Sequence, residues 1–489
     1  MIGAGLSKRQ HRPKLKSLPV ITPSRSSLVA AELLPETHDI FSNGCHYHTL
    51  VTTAKGNTMQ LQTRIRSTVA GLLSSTKFAA LSRHIARGRR RMSGMAPAVY
   101  YFHQVDDPHS HLAVQKLNQL RQQYALPFIT HLVSASADDF KGSAENFQHW
   151  TQQDALAIAK GYGTTLDITN TPTPEQVYQA NSRLSAHLNV DTFAAEAYAT
   201  GTELWASGNL NEIDAARTND TEIALKNGNA LQAKLGHYAG AMFYFDGEWY
   251  WGLNRLHLLE QRLIDEGFAS ANAAPCVTLP EARDTSGLNA KHISLEYFPS
   301  LRSPYTAIGH KRVLELIERS GVSVRLRPVM PMLMRGVPAP AAKQRYIITD
   351  AAREGRFYGV PLDRIVDPFG DPVKAAFNLY AGADALGQGM EFVTAYLSAA
   401  WQRGVDITTT AGLQQVAVEA GIDWQAMVDA AAKADWQTLL NDNLSALTSA
   451  NLWGVPSFRI SGGNNSAPFV CWGQDRIWRV EDEIAQRVK

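Results

Sequence analysis

The 489-residue sequence predicts an α/β protein in which one domain plan is used twice. Three observations predict it: a β-α-β pattern beginning near residue 98, its return 196 residues later (Phe102 to Phe298) with matched residues, and a hairpin-then-helix ending in both copies. In the first copy, residues 98–103 read as a strand. Residues 107–120 carry Leu112, Leu117 and Leu120 at helical spacing, with Asp107 as N-cap and Pro108 in the first turn, and 127–133 form a second strand. In the second copy the corresponding runs are 292–298, 303–317 and 322–329. The register holds without a gap through Pro108/Pro304, Gln148/Gln344, Asp154/Asp350, Gly163/Gly359, Leu166/Leu362 and Pro172/Pro368. Such a period is a whole domain, far longer than a solenoid repeat. A largely helical stretch follows in each copy, Ala-rich at 373–380 and 424–433, and the hairpins fall at 240–256 and at 454–460 with 467–477. The expected domains are therefore 97–268 and 291–489, joined by a linker at 269–290 and preceded by an extension at 1–94.

Charge separates the extension from the body. The chain has 47 Lys+Arg and 45 Asp+Glu, yet residues 1–94 hold 15 of the bases and only Glu32, Glu36 and Asp39 as acids, a net of +12 that leaves −10 for the rest. An acidic body argues against nucleic acid as partner, no run of ~18 apolar residues is present to span a membrane, and neither a nucleic acid nor a membrane is expected as partner. A basic tail can bind nucleic acid or membrane, and Arg64 to Arg91 is Ser- and Arg-rich without acids as transit peptides are, but the stronger reading of the extension is a disordered segment or an over-extended start, since Met92 and Met95 stand just ahead of the first strand. Cys45, Cys276 and Cys471 are too widely spaced for a CxxC, a zinc set or a disulfide framework, so a reducing, cytoplasmic setting is expected. His103, Asp106, Asp107, His109 and His111 are dense, but His109 and His111 stand two apart on a helix and do not share a face, so no metal site is expected.

Three motifs stand in order within the second copy: Ser303, Pro304 and Tyr305 after the first strand, the stretch 454–458 with Pro456 before the third, and 472–476 with Gln474 and Asp475 entering the last helix. Together they resemble the DsbA-like thioredoxin superfamily, in its 2-hydroxychromene-2-carboxylate isomerase and kappa-class glutathione transferase branch. The resemblance covers 290–489 well and 97–268 more loosely. It implies two tandem thioredoxin-like domains, each with a helical insertion, and glutathione as cofactor. It further implies a cis peptide bond before Pro456, main-chain contacts from Val455 to the peptide part of glutathione, and contacts from Gln474 and Asp475 to its γ-glutamyl end. The Gly-Asn pair that kappa-type relatives carry after the second strand has no Asn counterpart in 330–340.

Ser303 stands where redox relatives carry the first Cys of CxxC, and without sulfur at 303–306 dithiol exchange at this site is excluded. A hydroxyl and a helix N-terminus favour thiolate over thiol; lowering a bound thiol by about two units from ~8.5 corresponds to ~2.7 kcal/mol. Arg325, Arg327 and Arg335 are candidates for the glycine carboxylate or an acidic substrate. In the first copy, Asp107 replaces Ser303, Met242 replaces Pro456, and Leu253 and Asn254 replace Gln474 and Asp475, so that copy is expected to have lost the site. The expected activity is glutathione-dependent isomerisation or transfer on a small aromatic or unsaturated electrophile, with Ser303 stabilising the thiolate and the chain acting as a monomeric pseudo-dimer. The alternative is a non-catalytic thioredoxin-like protein that holds an extended peptide beside Pro456.

Overall fold

A computed structural model describes residues 55–210, 218–464 and 467–488. Two helices come first, α1 (Lys55–Ser74) and α2 (Thr76–Met92). There follow β1 (Val99–His103), α3 (Pro108–Val114), α4 (Leu117–Gln123) and β2 (Phe128–Leu132). A helical stretch then holds α5 (Asp138–Lys141), α6 (Ala144–Ala159), α7 (Pro174–Ser185), α8 (Phe193–Ala206) and α9 (Thr218–Leu235), and the half closes with β3 (Met242–Phe245), β4 (Glu248–Trp251) and α10 (Gly252–Asp265). The second half opens with β5 (Ile293–Phe298), α11 (Pro304–Ser320) and β6 (Ser323–Leu326). Its helices are α12 (Ala341–Phe357), α13 (Asp371–Ala385), α14 (Gly389–Ser398), α15 (Thr410–Glu419), α16 (Trp424–Ala431) and α17 (Trp436–Thr448), before β7 (Ser457–Gly462), β8 (Phe469–Trp472) and α18 (Ile477–Val488).

The two sheets share one plan. Their orders are β2-β1-β3-β4 and β6-β5-β7-β8, each with one parallel pair and two antiparallel pairs. Separate apolar cores form around them, one including Val99, Tyr101, Leu112 and Phe243, the other Ile293, Leu295, Val313 and Phe458. Local chemistry accounts for many boundaries. Thr173 and Gln176 form a capping box ahead of α7, and Gly321 closes α11 in a left-handed conformation.

The structure differs from the sequence expectation in three places. The helix expected over 107–120 is broken into α3 and α4 where the Gln115 amide bonds both the C=O and the N–H of Thr165. The strand expected over 322–329 stops at Leu326, two residues before Pro328, which has no N–H to give a ladder. The extension expected to be disordered is helical over Lys55–Met92, with Arg83, Arg87 and Arg90 of α2 paired to Glu248, Asp246 and Glu266 of the β3–β4 hairpin and α10; its residues 1–54 lie outside those described.

The halves meet at a reciprocal ionic seam. Arg476 donates to both carboxylate oxygens of Asp154, at 2.7 and 2.6 Å, and to Asn254 at 2.9 Å. In return Arg255 donates to both oxygens of Asp350, at 3.1 and 3.0 Å, and to Asp475 at 2.9 Å. Asp154 and Asp350 are matched in the 196-residue register, and Arg255 and Arg476 end the parallel stretches 251–255 and 472–476. His109 stands 3.3 Å from Asp154, while its register partner Tyr305 donates to Asp350 at 2.8 Å. Each half thus lends an arginine to the other's aspartate. All four ions are buried, so removing one partner strands a charge in a medium that solvates it poorly. Arg476→Ala is expected to cost ~3–5 kcal/mol in urea unfolding, and the paired change Arg476→Met with Asp154→Leu is expected to recover most of it.

Candidate functional site

Ser303 closes the turn after β5 and caps α11. Its backbone is extended, Pro304 takes a first-turn position that needs no N–H, and its Oγ accepts the N–H of Thr306 at 3.1 Å. The side chain is only 7% exposed, yet its hydroxyl proton has no acceptor among the described residues. The Val455–Pro456 peptide bond is cis. Sheet register brings this bend to the same end: Phe298, five residues before Ser303, pairs with Ser457, the residue after Pro456. The main-chain N–H and C=O of Val455 make no hydrogen bond among the described residues, whereas Gly454 and Pro456 on either side accept from Ser457 and Gly473.

Aromatic rings flank the bend. Trp472 lies so close to Gly454 that a Cβ there would come within 1.9 Å of the indole, which explains why glycine stands at 454. Trp150, from the other half, packs at 4.7 Å from Trp472, and Trp453 at 5.1 Å. Arg335 reaches the same loop by donating to the carbonyl oxygens of Met330 and Trp453. It has no carboxylate partner within 4 Å among the described residues, and burial lowers its pKa to about 10, so an anion there would meet an uncompensated guanidinium. Arg327 is instead committed to Glu296 and Asn443, and Arg325 is exposed on β6.

Gln474 and Asp475 lie in the turn before α18, beside α11 but away from its N-terminus. Gln474 packs against Gly309, roughly 9 Å along the helix from Ser303 at 1.5 Å per residue. Its amide is spent inside the protein, donating to Glu354 at 2.8 Å and accepting from Arg312, so the expected ligand contact gives way to one that positions the turn. Asp475 belongs to the seam. Burial alone would raise its pKa, but Arg476 and Arg255 hold it down at about 2. Glu354 goes the other way, pushed up to about 7 by burial, with Asp350 and Asp475 adding to the rise against Arg255.

In the first half, Asp107 caps α3 as Ser303 caps α11, accepting from His109 and Ser110 main chain and from the Ser110 hydroxyl at 2.8 Å. Burial raises its pKa. Because Phe102 pairs with Met242 as Phe298 pairs with Ser457, the counterpart of Pro456 is Ala241, with φ +55°, and not Met242. Leu253 is in the core, and Asn254 accepts from Tyr162 and Arg476. Among the described residues no group of three or more His, Cys, Asp or Glu side chains is placed to hold a metal ion. Burial pushes the Cys276 thiol up to about 12 and Cys471 higher still, so neither is a ready nucleophile.

Residues 294–485 match the DSBA-like thioredoxin domain family. The second half is therefore a DsbA-like thioredoxin domain, its sheet and helical insertion lying within that match. Similar solved structures include a putative protein disulfide isomerase from Nitrosomonas europaea, 14% identical with TM-score 0.33 over 40% of this chain and 98% of that one. A 2-hydroxychromene-2-carboxylate isomerase is 19% identical with TM-score 0.33 over 40% and 95%. Cytosolic disulfide reductase DsbM from Pseudomonas aeruginosa with GSH is 18% identical with TM-score 0.27 over 40% and 99%. No curated protein is significantly similar to the chain.

The raised Glu354 carboxyl gives a pH signature. Between its ordinary value of 4.5 and about 7 the folded protein keeps a proton that the unfolded chain has released, so stability falls as pH rises through that window. Glu354→Gln is expected to flatten that fall: urea midpoints should rise relative to wild type near pH 8 and match it near pH 5.

Proposed function

We propose that the second half is a glutathione-dependent isomerase or transferase of the 2-hydroxychromene-2-carboxylate isomerase type, acting on a small aromatic or unsaturated electrophile. One observation carries the reading: at the N-terminus of α11 stands a hydroxyl whose proton is uncommitted, at the same sheet end as the unpaired main chain of Val455. Bound glutathione supplies a sulfur nucleophile that adds reversibly to an electrophilic carbon. In this reading Ser303 donates its proton's hydrogen bond to that sulfur, while the helix N-terminus favours the negative form. Val455 pairs with the peptide portion as an added strand does. Arg335 meets a carboxylate, either of glutathione's glycine or of an acidic substrate. Asp475, whose two oxygens face Arg255 and Arg476, would share that carboxylate with the γ-glutamyl ammonium.

The same proposal treats the chain as a tandem duplication, with domains at 97–268 and 291–489 joined by a linker at 269–290. Matched sheets and the exchanged arginines support it, since a two-fold dimer makes each contact twice. Asp107 puts a carboxyl where Ser303 puts a hydroxyl, so one glutathione per chain is the expected stoichiometry. A second reading, a non-catalytic module holding an extended peptide, is favoured by the low exposure of Ser303 and the tryptophans beside Val455.

Glutathione titration followed by thiolate absorbance near ~240 nm separates the two. The enzymatic reading expects a saturable rise in wild type, lost in Ser303→Ala, with a stability cost of only ~1 kcal/mol from the missing cap. No rise in wild type, or an equal rise in the variant, favours the peptide-binding module.

A further inference from the structure

The two helices ahead of β1 are amphipathic the wrong way round for a packed protein. On α1, Leu61, Ile65, Val69 and Leu72 are 49–57% exposed, while Thr63 and Ser74 are buried. At 100° per residue those four aliphatics span roughly 80° of the outward surface, a continuous row. The inward face is mixed: Ala70 packs against an apolar core of the second half, the Ser67 hydroxyl accepts the N–H of Asp367 at 2.9 Å, and Arg66 lies over the Phe369 ring at 4.4 Å. On α2 the inversion repeats. Arg83, Arg87 and Arg90 point inward to carboxylates, and Leu81, Ile85 and Met92 point out, 43–83% exposed. Of sixteen large exposed apolar side chains among the described residues, eight lie within 61–95. That concentration marks a face with an occupant.

The charge on that face selects the occupant. Arg64, Lys77, Arg89 and Arg91 are exposed, and none has an acidic partner within 4 Å among the described residues; residues 55–95 contain no Asp or Glu at all. A second copy of this chain would set the same cationic rows against themselves across a two-fold axis. An anionic bilayer surface answers both features at once, taking aliphatics at the acyl boundary and guanidinium groups at the phosphates. No helix among the described residues is long and apolar enough to cross a membrane, so the contact is one of lying on the surface.

We propose that the outward face of α1 and α2 docks this protein onto an anionic lipid surface. The test is flotation of the full chain with vesicles of phosphatidylcholine alone or with about one third phosphatidylglycerol. Binding is expected only to the anionic vesicles and is expected to weaken as salt rises. The full-length variant Leu61→Ser, Leu72→Ser, Ile85→Ser and the variant Arg89→Gln, Arg91→Gln should each lower partitioning about tenfold or more. Because all five positions are exposed, thermal unfolding of both variants should match wild type, and substitution within the whole chain separates this face from the basic residues of 1–54. No binding to anionic vesicles, equal binding to both lipids, or binding unchanged in both variants would overturn the proposal. So would a wild-type dimer in sedimentation that the serine variant abolishes.

Discussion

A guanidinium taken out of water is far less costly beside a carboxylate, and two such buried pairs join the halves of this protein. Arg476 answers to Asp154 and Arg255 to Asp350, each bond running from one half to the other. Without the other half, Arg255 would lose Asp350 and Asp475, Asp154 would lose Arg476, and Asp350 would keep Arg353 alone. The same interface holds Trp150 beside the second half's proline bend and commits Asp475 to Arg255.

The seam also shapes the candidate site. A residue that holds a neighbouring domain cannot be wholly free for a ligand, and Asp475 divides its carboxylate between Arg255 and Arg476. Gln474 is further constrained, pinned between Glu354 and Arg312. At the other end of the helix the Ser303 hydroxyl proton and the Val455 main chain have no partner among the described residues, while Arg335 bonds only carbonyl oxygens, those of Met330 and Trp453.

The preceding helices obey the same accounting of charge. Their arginines turn inward because the β3–β4 hairpin and α10 supply Glu248, Asp246 and Glu266, and that choice forces the aliphatic rows outward. Helix polarity alone would put the charges in water. Acids remote in the chain reverse the orientation, and composition alone carries no sign of them.

Much was legible from local rules. Asp107 and Ser303 cap because a short polar acceptor before proline satisfies first-turn N–H groups wherever it occurs. The 196-residue register gave the matched β-α-β units, and Gly454 and Trp472 stood in the motifs whose contact explains both. Other features depended on residues remote in the chain: the break at Gln115, the partner of each seam arginine, the inward arginines of α2, and Ala241 rather than Met242 opposite Pro456. Asp154 and Asp350 were visible as a matched pair, but their burial against Arg476 and Arg255 was not, since charge pairing over hundreds of residues leaves no periodic trace. The sequence by itself determined most strands and helices of the two sheets' matched order, through capping, spacing and patterning that act within a few residues. The tertiary structure alone decided which polar groups are spent and which remain free, because desolvation depends on what packs around a group and not on its neighbours in the chain.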